Sequence, residues 1–221
     1  FVEGYPTNSF FIYEFDGFIK DEADLADYKT KMKGGVPTNL RVGDAKYVDK
    51  DGDGVLEPTL YKEGDPNSGD IVYKGTNNQR YLYGINLGLD WKGIDVSAFL
   101  QGVGKWDCIN GTYAGGGEVW KQSSQYFYHN TWSPDRPNAE YPRLTQDGGI
   151  HGYNYQWSDA PYKFFNNRYL RLKEVQIGYT FPTTLTKKIG VEKLRVYATG
   201  MNLLEWDNLP NGFDPEAPYT E

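Results

Sequence analysis

One short acidic run has the residue types and the spacing of a calcium-binding loop. Starting at Asp49, the segment DKDGDGVLE has an aspartate at every second position, three times, followed by a glycine. Carboxylate oxygens are the ligands that Ca²⁺ prefers, and a glycine at the sixth position allows the sharp turn of an EF-hand-type loop. The main-chain carbonyl of Val55 and the side chain of Glu57 take the seventh and ninth positions. The run therefore predicts a structural Ca²⁺ held by Asp49, Asp51, Asp53, Val55 and Glu57.

The twelfth position of the loop departs from this pattern. An EF-hand-type loop has a bidentate acid there, whereas this chain has Leu60. Asp65 or Asp70, later in the same polar stretch, are candidates to supply the missing carboxylate. The alternative is a solvated acidic turn that binds no metal. The sequence indicates no organic cofactor.

A second candidate site is a long aromatic-rich stretch, 104–165. Aromatic residues make up 16% of the chain, and a stretch so rich in them is too apolar to remain unfolded. Aromatic rings can stack on sugar rings, so we predict a platform for a ligand or a partner protein. In the alternative, most of these rings pack a small core of their own. The platform candidates are Trp106, Trp120, Tyr128, Trp132 and Trp157.

Residues for catalysis and for nucleic-acid binding are poorly represented. His129 and His151 lie 22 residues apart, without the spacing of a zinc site. Carboxylates are abundant, so a glycoside hydrolase that needs two of them is an open alternative, although we expect no enzyme. The net charge of −7 argues against nucleic-acid binding, and the single Cys108 excludes a disulfide within the chain.

The elements that must position these sites are β-strands. Residues 81–91 and 94–103 alternate in hydrophobicity with a period of two, and a short Lys92-Gly93 link predicts a hairpin. Ile85, Leu87 and Leu89 share one face of this hairpin. The opposite face is polar, and we predict that it faces the lumen of a barrel through Asn86, Asp90, Asp95, Ser97 and Gln101.

Three further strands and two long connections complete the pattern. Strands are predicted near 9–18, 169–181 and 194–206, and the alternation slips around Arg171 and Lys173 and at Asn202. The connections 19–79, with a short helix near 20–32, and 104–165 are long, whereas the joins between paired strands are short. Membrane β-barrels sort their loops in this way, with long loops on the extracellular side.

The apolar face of the hairpin has two possible environments, lipid or a protein core. Strand 81–91 has the roughly nine to eleven residues that cross a bilayer at a tilt, with tyrosines near one end and Trp91 at the other, as in the aromatic girdles of membrane barrels. These features favour lipid. The alternative is a soluble, calcium-stabilised, carbohydrate-binding β-sandwich.

Five motifs in order resemble the C-terminal barrel portion of SusC/RagA-type TonB-dependent outer-membrane transporters. They are GDAKYVDKDGDGVLEP (43–58), YLYGINLGLDWKGIDVSAFLQGVG (81–104), TWSPDRPNAEYPRL (131–144), RYLRLKEVQIGYTFP (168–182) and LRVYATGMNLLEW (194–206). The resemblance implies an all-β fold, in which antiparallel strands form part of a 22-stranded transmembrane barrel with extracellular loops.

The same resemblance implies a function and a set of partners. It implies import of oligosaccharides or peptides across the Gram-negative outer membrane, powered through TonB, beneath a SusD-like surface lipoprotein. Family members also have a plug domain and a closing strand, which residues 1–221 do not contain. We therefore expect this chain to need outer-membrane lipid and the remainder of a barrel, because an open sheet in lipid leaves unpaired backbone groups at its edges.

Overall fold

The computed structural model describes residues 2–109, 129–209 and 213–217. The chain divides into two compact units, which are treated separately. Unit 1 contains residues 1–77 and 107–165, and unit 2 contains residues 78–106 and 166–217. Among the described residues, no helix combines the length and the apolar character that a membrane crossing requires.

Unit 2 is built on one antiparallel sheet of four long strands in the order β10-β9-β6-β5. Each strand begins and ends within about two residues of its predicted bounds, because alternation of period two is a local property of the sequence. The strands are β5 (Arg80–Trp91), β6 (Ile94–Lys105), β9 (Tyr169–Thr180) and β10 (Arg195–Asp207).

Lys92 and Gly93 form the tight turn of the predicted hairpin. Both have positive φ angles, 49° and 88°, as a two-residue type I′ turn requires. Gly93 is also needed for space, since a Cβ atom there would lie 2.7 Å from the carbonyl oxygen of Thr180. The turn fixes the register of β5 against β6, with Trp91 opposite Ile94 and Leu87 opposite Ala98.

The strand register gathers the apolar side chains of unit 2 on one face. Leu89 pairs with Val96, Val96 with Ile177, and Ile177 with Ala198, so that apolar residues run across all four strands. This apolar face is uncovered: Ile85, Leu87 and Leu89 are 45%, 57% and 64% exposed. The opposite face contains the polar side chains predicted from the alternation, together with Phe99, which lies opposite Asn86.

Two β-bulges account for the places where the sequence pattern slips. Lys173 is an extra residue in β9, between the pairs Phe99–Glu174 and Leu100–Leu172. In β10 the register shifts between Met201 and Leu204, where Asn202 has a φ of 50°. The extra residue in β9 shifts the phase of its alternation by one position, which places Leu172 opposite Leu100 and Leu204. The apolar face therefore continues past both slips.

Unit 1 contains short elements, most of them within the stretches predicted as loops. Its strands form two-stranded pairs, β1 with β4, β2 with β3 and β7 with β8, the last ending at the boundary of unit 2. The elements are β1 (Ser9–Ile12), β2 (Phe15–Phe18), α1 (Glu22–Lys31), β3 (Ala45–Tyr47), β4 (Val72–Thr76), β7 (Asp107–Ile109), α2 (Gly148–Asn154) and β8 (Phe164–Asn166). Unit 2 adds the one-turn helix α3 (Thr183–Thr186) and a 3₁₀ turn (Lys187–Ile189).

The single strand predicted at 9–18 is wrong. The segment forms two strands that pair with different partners: β1 with β4, and β2 with β3. Between them, the carboxylate of Glu14 accepts hydrogen bonds from Lys50 and Lys74, both at 2.6 Å. Phe11, Tyr13 and Phe15 do recur at every second position in the sequence, but Phe11 pairs within β1–β4 and Phe15 within β2–β3.

The short helix predicted near 20–32 is present as α1. Its N-cap is Asp21, whose side chain accepts from the backbone N–H of Asp24 at 2.9 Å, which satisfies one of the free donors of the first turn. Acidic residues lie in its first turn and lysines in its last, which matches the helix dipole. Leu25 and Tyr28 are the buried residues of the helix.

Hydrogen-bonded tyrosines form much of the core of unit 1. The hydroxyls of Tyr28 and Tyr153 lie 2.9 Å apart, and the Tyr47 hydroxyl donates to the carbonyl of Tyr153 at 2.8 Å. Tyr162 donates to the carbonyl of Asn154 at 2.6 Å. Burial raises the pKa of Tyr153 well above its usual value, so these hydroxyls remain neutral donors.

A buried ion pair joins distant segments within this core. Asp44 is fully buried and forms an ion pair with Arg143, whose Nη2 lies 3.0 Å from its carboxylate. The same carboxylate accepts from the Arg41 backbone N–H at 2.7 Å and from the Asn154 side chain at 3.0 Å. The Asn154 amide oxygen in turn accepts from the backbone of Ala45 at 3.0 Å.

Candidate functional site

The acidic run folds into a compact loop that brings three carboxylates together. One oxygen from each of Asp49, Asp51 and Asp53 lies within 4.8 Å of the others. Ligand oxygens on opposite sides of a Ca²⁺ ion are about 5 Å apart, since each lies 2.3–2.6 Å from the metal. The spacing of the three carboxylates is therefore compatible with a cation between them, which would relieve their mutual repulsion.

Local hydrogen bonds hold the loop in this conformation. Asp49 accepts from the backbone N–H groups of Gly52 and Gly54, both at 2.8 Å, and Asp53 accepts from that of Val55 at 2.6 Å. Gly54 has a φ of 88°, and a Cβ atom there would lie 2.8 Å from the carbonyl oxygen of Lys31. This position therefore needs glycine both for the turn and for the contact with the end of α1.

Asp70 holds the two ends of the loop and does not join its carboxylates. One carboxylate oxygen accepts from the backbone N–H of Lys50 at 2.5 Å, and the other accepts from that of Glu57 at 2.8 Å. Burial raises the pKa of Asp70, and the charges of Asp49 and Asp51 add to this effect. Asp70 is not one of the three converging carboxylates; it positions the loop, and its role as a replacement ligand stays a prediction.

The remaining predicted ligands lie outside the carboxylate group. The side chain of Glu57 is exposed and is not among the three converging residues of the described chain. Asp65 accepts from the backbone of Asn67 in a separate turn. Leu60, at the twelfth position of the loop, forms an isolated parallel β-bridge with Ile71.

The aromatic candidates differ in their surroundings. Trp157 is 61% exposed, whereas Trp132 is partly buried, with its ring over Gly43, where a Cβ atom would lie 2.3 Å from the indole. Trp106 is partly buried, and its carbonyl accepts from the backbone of Asn167 at 2.7 Å. Trp120 and Tyr128 lie outside the described residues. Of the described candidates, only Trp157 offers most of its ring to a ligand.

The five residues predicted to face a lumen occupy the face opposite Ile85, Leu87 and Leu89. In the register of β5 against β6, Asp90 lies directly opposite Asp95. Each of the other three lies opposite a residue of the neighbouring strand that is not one of the five. Those pairs are Asn86 with Phe99, Ser97 with Gly88, and Gln101 with Gly84. The orientation of this polar face toward a lumen stays a prediction.

An ion pair crosses β9 on the polar face. Arg195 of β10 donates from Nε to Asp95 of β6 at 3.0 Å, and its Nη2 donates to Gln176 at 2.8 Å. Gly178 of β9 lies between them, where a Cβ atom would lie 2.5 Å from the guanidinium and 2.6 Å from the carboxylate. Glycine at this position is what allows side chains two strands apart to meet.

A second cluster of ion pairs holds residues 213–217, here called the return segment, against strands of the same unit. Arg171 forms ion pairs with Glu205, Asp214 and Glu216, and its side chain is 9% exposed. The bulged Lys173 donates to Glu216 at 2.8 Å, and the Asn167 amide donates to the Pro215 carbonyl. This last hydrogen bond is 3.1 Å long.

Sequence reasoning did not predict these ion clusters. In the sequence, Arg171 and Lys173 are only polar residues near the point where the period-two alternation slips, and nothing indicates their partners. Nothing in the sequence around Asp95 indicates that it pairs with Arg195, which lies 100 residues later in the chain. The one usable signal was the glycine in the middle of β9, because a strand glycine often marks a close approach.

Comparison with known proteins identifies relatives of this chain. No family model matches it. It is 29% identical over 220 residues to TonB-dependent receptor P3 of Formosa agariphila, and 28% identical over 182 residues to TonB-dependent receptor P26 of the same organism. The alignments cover 98% and 80% of the chain but 19% and 16% of the relatives, so the chain spans about a fifth of their length.

Solved structures share the fold. The RagAB peptide importer in its open-open state matches 97% of this chain at a TM-score of 0.58 and 21% identity, and the chain covers 20% of it. The RagAB peptide transporter matches 96% of the chain at a TM-score of 0.57 and 24% identity, again with 20% of its own length covered.

These comparisons bear on three of the expectations from sequence. The all-β, antiparallel fold of a transporter barrel with few, short helices is confirmed. The relatives and structural neighbours are named as receptors, an importer and a transporter, and none of these names is that of an enzyme; this agrees with the expectation that the chain is not an enzyme and disfavours the glycoside hydrolase alternative. The chain is thus related to the TonB-dependent receptors, and its predicted resemblance to the SusC/RagA-type outer-membrane transporters is confirmed.

Proposed function

We propose that this chain forms part of the barrel wall and the loops of an outer-membrane nutrient importer. The observation that supports this most is the uncovered apolar face of unit 2, where Ile85, Leu87 and Leu89 are about half exposed or more. In a soluble β-sandwich such residues pack against a second sheet. The described residues of unit 2 form no second sheet that could cover this face. Lipid is the environment that this face fits.

The finer features of the import reaction are also proposals. We propose that oligosaccharides or peptides pass along the polar face, that a SusD-like lipoprotein covers the outer end, and that TonB supplies the energy through a part of the protein outside this chain. The loop-rich unit 1 is then the extracellular part. The RagAB neighbours are named as a peptide importer, and both TonB-dependent relatives support energised uptake.

Charge on the apolar face tests the barrel proposal. Leu87 lies near the middle of β5, opposite Ala98, so an arginine there would lie near the bilayer midplane. We expect Leu87→Arg to lower the free energy of unfolding by about 2–4 kcal/mol. The measurement is urea unfolding of the complete protein that carries this chain, folded in lipid vesicles.

The adjacent polar-face residue provides a matched control. Asn86 occupies the next position along β5 and faces the other way, opposite Phe99. Asn86→Arg should cost at most about 1 kcal/mol, because a lumen position tolerates charge. Equal losses in the two variants would rule out lipid around the apolar face.

We also propose that the loop of Asp49, Asp51 and Asp53 binds Ca²⁺ and rigidifies unit 1. Asp51→Asn removes one charged ligand while leaving both backbone contacts of Asp49 in place, so the turn itself should persist. We expect at least about tenfold weaker Ca²⁺ binding by isothermal titration calorimetry, since ligand charge sets the affinity of such loops.

An acidic residue of the same insert provides the control for calcium. Asp65→Asn alters a carboxylate that accepts only from its own turn among the described residues, so affinity should be unchanged. If the unaltered protein binds Ca²⁺ no more tightly than the millimolar range, the loop is a solvated acidic turn instead.

A further inference from the structure

Unit 1 contains a cavity of about 400 Å³ whose lining combines aromatic and aliphatic side chains with Gln156 and a single lysine. Its lining includes the rings of Phe11, Tyr13, Tyr155 and Trp157, together with Lys163. The volume is at the lower end of the range for small-molecule sites. It suits one sugar ring or one amino-acid residue, not a longer stretch of ligand.

Lys163 is an unusual residue for such a wall. It is 5% exposed, and its ammonium group donates to the main-chain carbonyl of Tyr155. No carboxylate of the described residues forms an ion pair with it; Glu14 and Asp159, two acids of the same unit, pair with Lys74. Burial alone lowers the pKa of Lys163 to about 8.

A buried ammonium group without a counter-ion costs stability. A core lysine kept only for packing would have its charge at the surface, where its stem still covers apolar area. An ammonium with one carbonyl acceptor retains two further donors. An anion that enters the cavity therefore finds a charged donor that water solvates poorly.

We propose that this cavity is a subsite for an organic carboxylate, with Lys163 binding the carboxylate and the aromatic wall holding the body of the ligand. Trp157 supplies the accessible ring at this wall, being 61% exposed. The proposal rests on the proposed import function and adds a chemical class to it. The carboxylate belongs either to an acidic sugar residue or to the end of a peptide.

Two probe pairs separate these sources, each differing only in the carboxylate. One pair is digalacturonate and digalactose; the other is a tetrapeptide with a free and with an amidated C-terminus. Binding is measured by calorimetry on the complete protein that carries this chain. We expect the acid of at least one pair to bind about tenfold or more tightly than its neutral partner, since a hydrogen bond to a charged group is worth about that factor.

Three variants assign this preference to the cavity. Lys163→Met should abolish it and should not lower the melting temperature, because the change removes a buried charge and keeps the stem. Lys62→Met, at an exposed position of the same unit, should leave it unchanged. Trp157→Ala, at an exposed ring, should weaken the acid and its neutral partner by the same factor.

The proposal is overturned if neither pair shows a preference for the acid, or if Lys163→Met retains it. This result is distinguishable from failure of the import proposal, which the Leu87→Arg and Asn86→Arg comparison tests without any ligand. A preference in the sugar pair or in the peptide pair supports the subsite equally and identifies the source of the carboxylate.

Discussion

Replacing Asp44 with alanine is expected to lower the opening free energy of unit 1 by about 3–5 kcal/mol. The carboxylate is fully buried and accepts hydrogen bonds from Arg41, Arg143 and Asn154. Alanine leaves the guanidinium of Arg143 without its counter-ion in a site where its side chain is 16% exposed. The loss therefore contains the desolvation cost of an orphaned charge as well as the lost bonds.

Native-state hydrogen exchange of the amides in β3 and α1 measures this opening free energy in the complete protein. The matched control is Asp27→Ala, which removes an ion pair with Lys31 of similar length, 2.6 Å, but with both side chains more than half exposed. An exposed i,i+4 pair contributes about 0.5 kcal/mol or less. Similar losses in the two variants would contradict a structural role for the buried pair.

Arg171→Met is the second change for which we expect a large effect. Removing this guanidinium leaves Glu205, Asp214 and Glu216 facing one another without their common partner. We expect a loss of about 3 kcal/mol or more in the stability of unit 2, together with release of the return segment. The measurement is urea unfolding in lipid vesicles, with protease cleavage after residue 207 as the local readout.

The control for this change is Arg195→Met on the same polar face. Arg195 pairs with one carboxylate, Asp95, and both side chains are about one-third exposed, so the expected loss is at most about 1 kcal/mol. The return segment should remain bound in this variant. Protection of the segment in Arg171→Met would show that other contacts hold it.

The pH dependence of the return segment follows from the same contacts. Hydrogen bonds from the Glu216 backbone and from Arg171 lower the pKa of Asp214; burial opposes the shift at Glu216, but Lys173 and Arg171 lower its pKa. Carboxylates whose pKa is lowered stabilise the folded state above their usual pKa, and this contribution is lost as the pH falls through the lowered value. We therefore expect the segment to be bound at neutral pH and released below about pH 4.

The sequence by itself determined the long strands, their two faces and the acidic loop. Each is a local pattern: an alternation of period two, a Lys-Gly turn, and aspartates at every second position. The slips at Lys173 and Asn202 were also visible and proved to be bulges. The resemblance to transporters is also carried by the sequence alone, through five motifs in order along the chain.

Only the tertiary structure decided which side chains meet across long separations. It splits residues 9–18 into two strands that pair with different partners. It also places the Asp70 carboxylate where it accepts hydrogen bonds from both ends of the acidic loop, and it buries Lys163 at the wall of a cavity that four aromatic rings help to line. Such contacts depend on the packing of segments that are far apart in the chain, such as Phe15 and Asp159 at a separation of 144 positions, and no local periodicity encodes a distance in space.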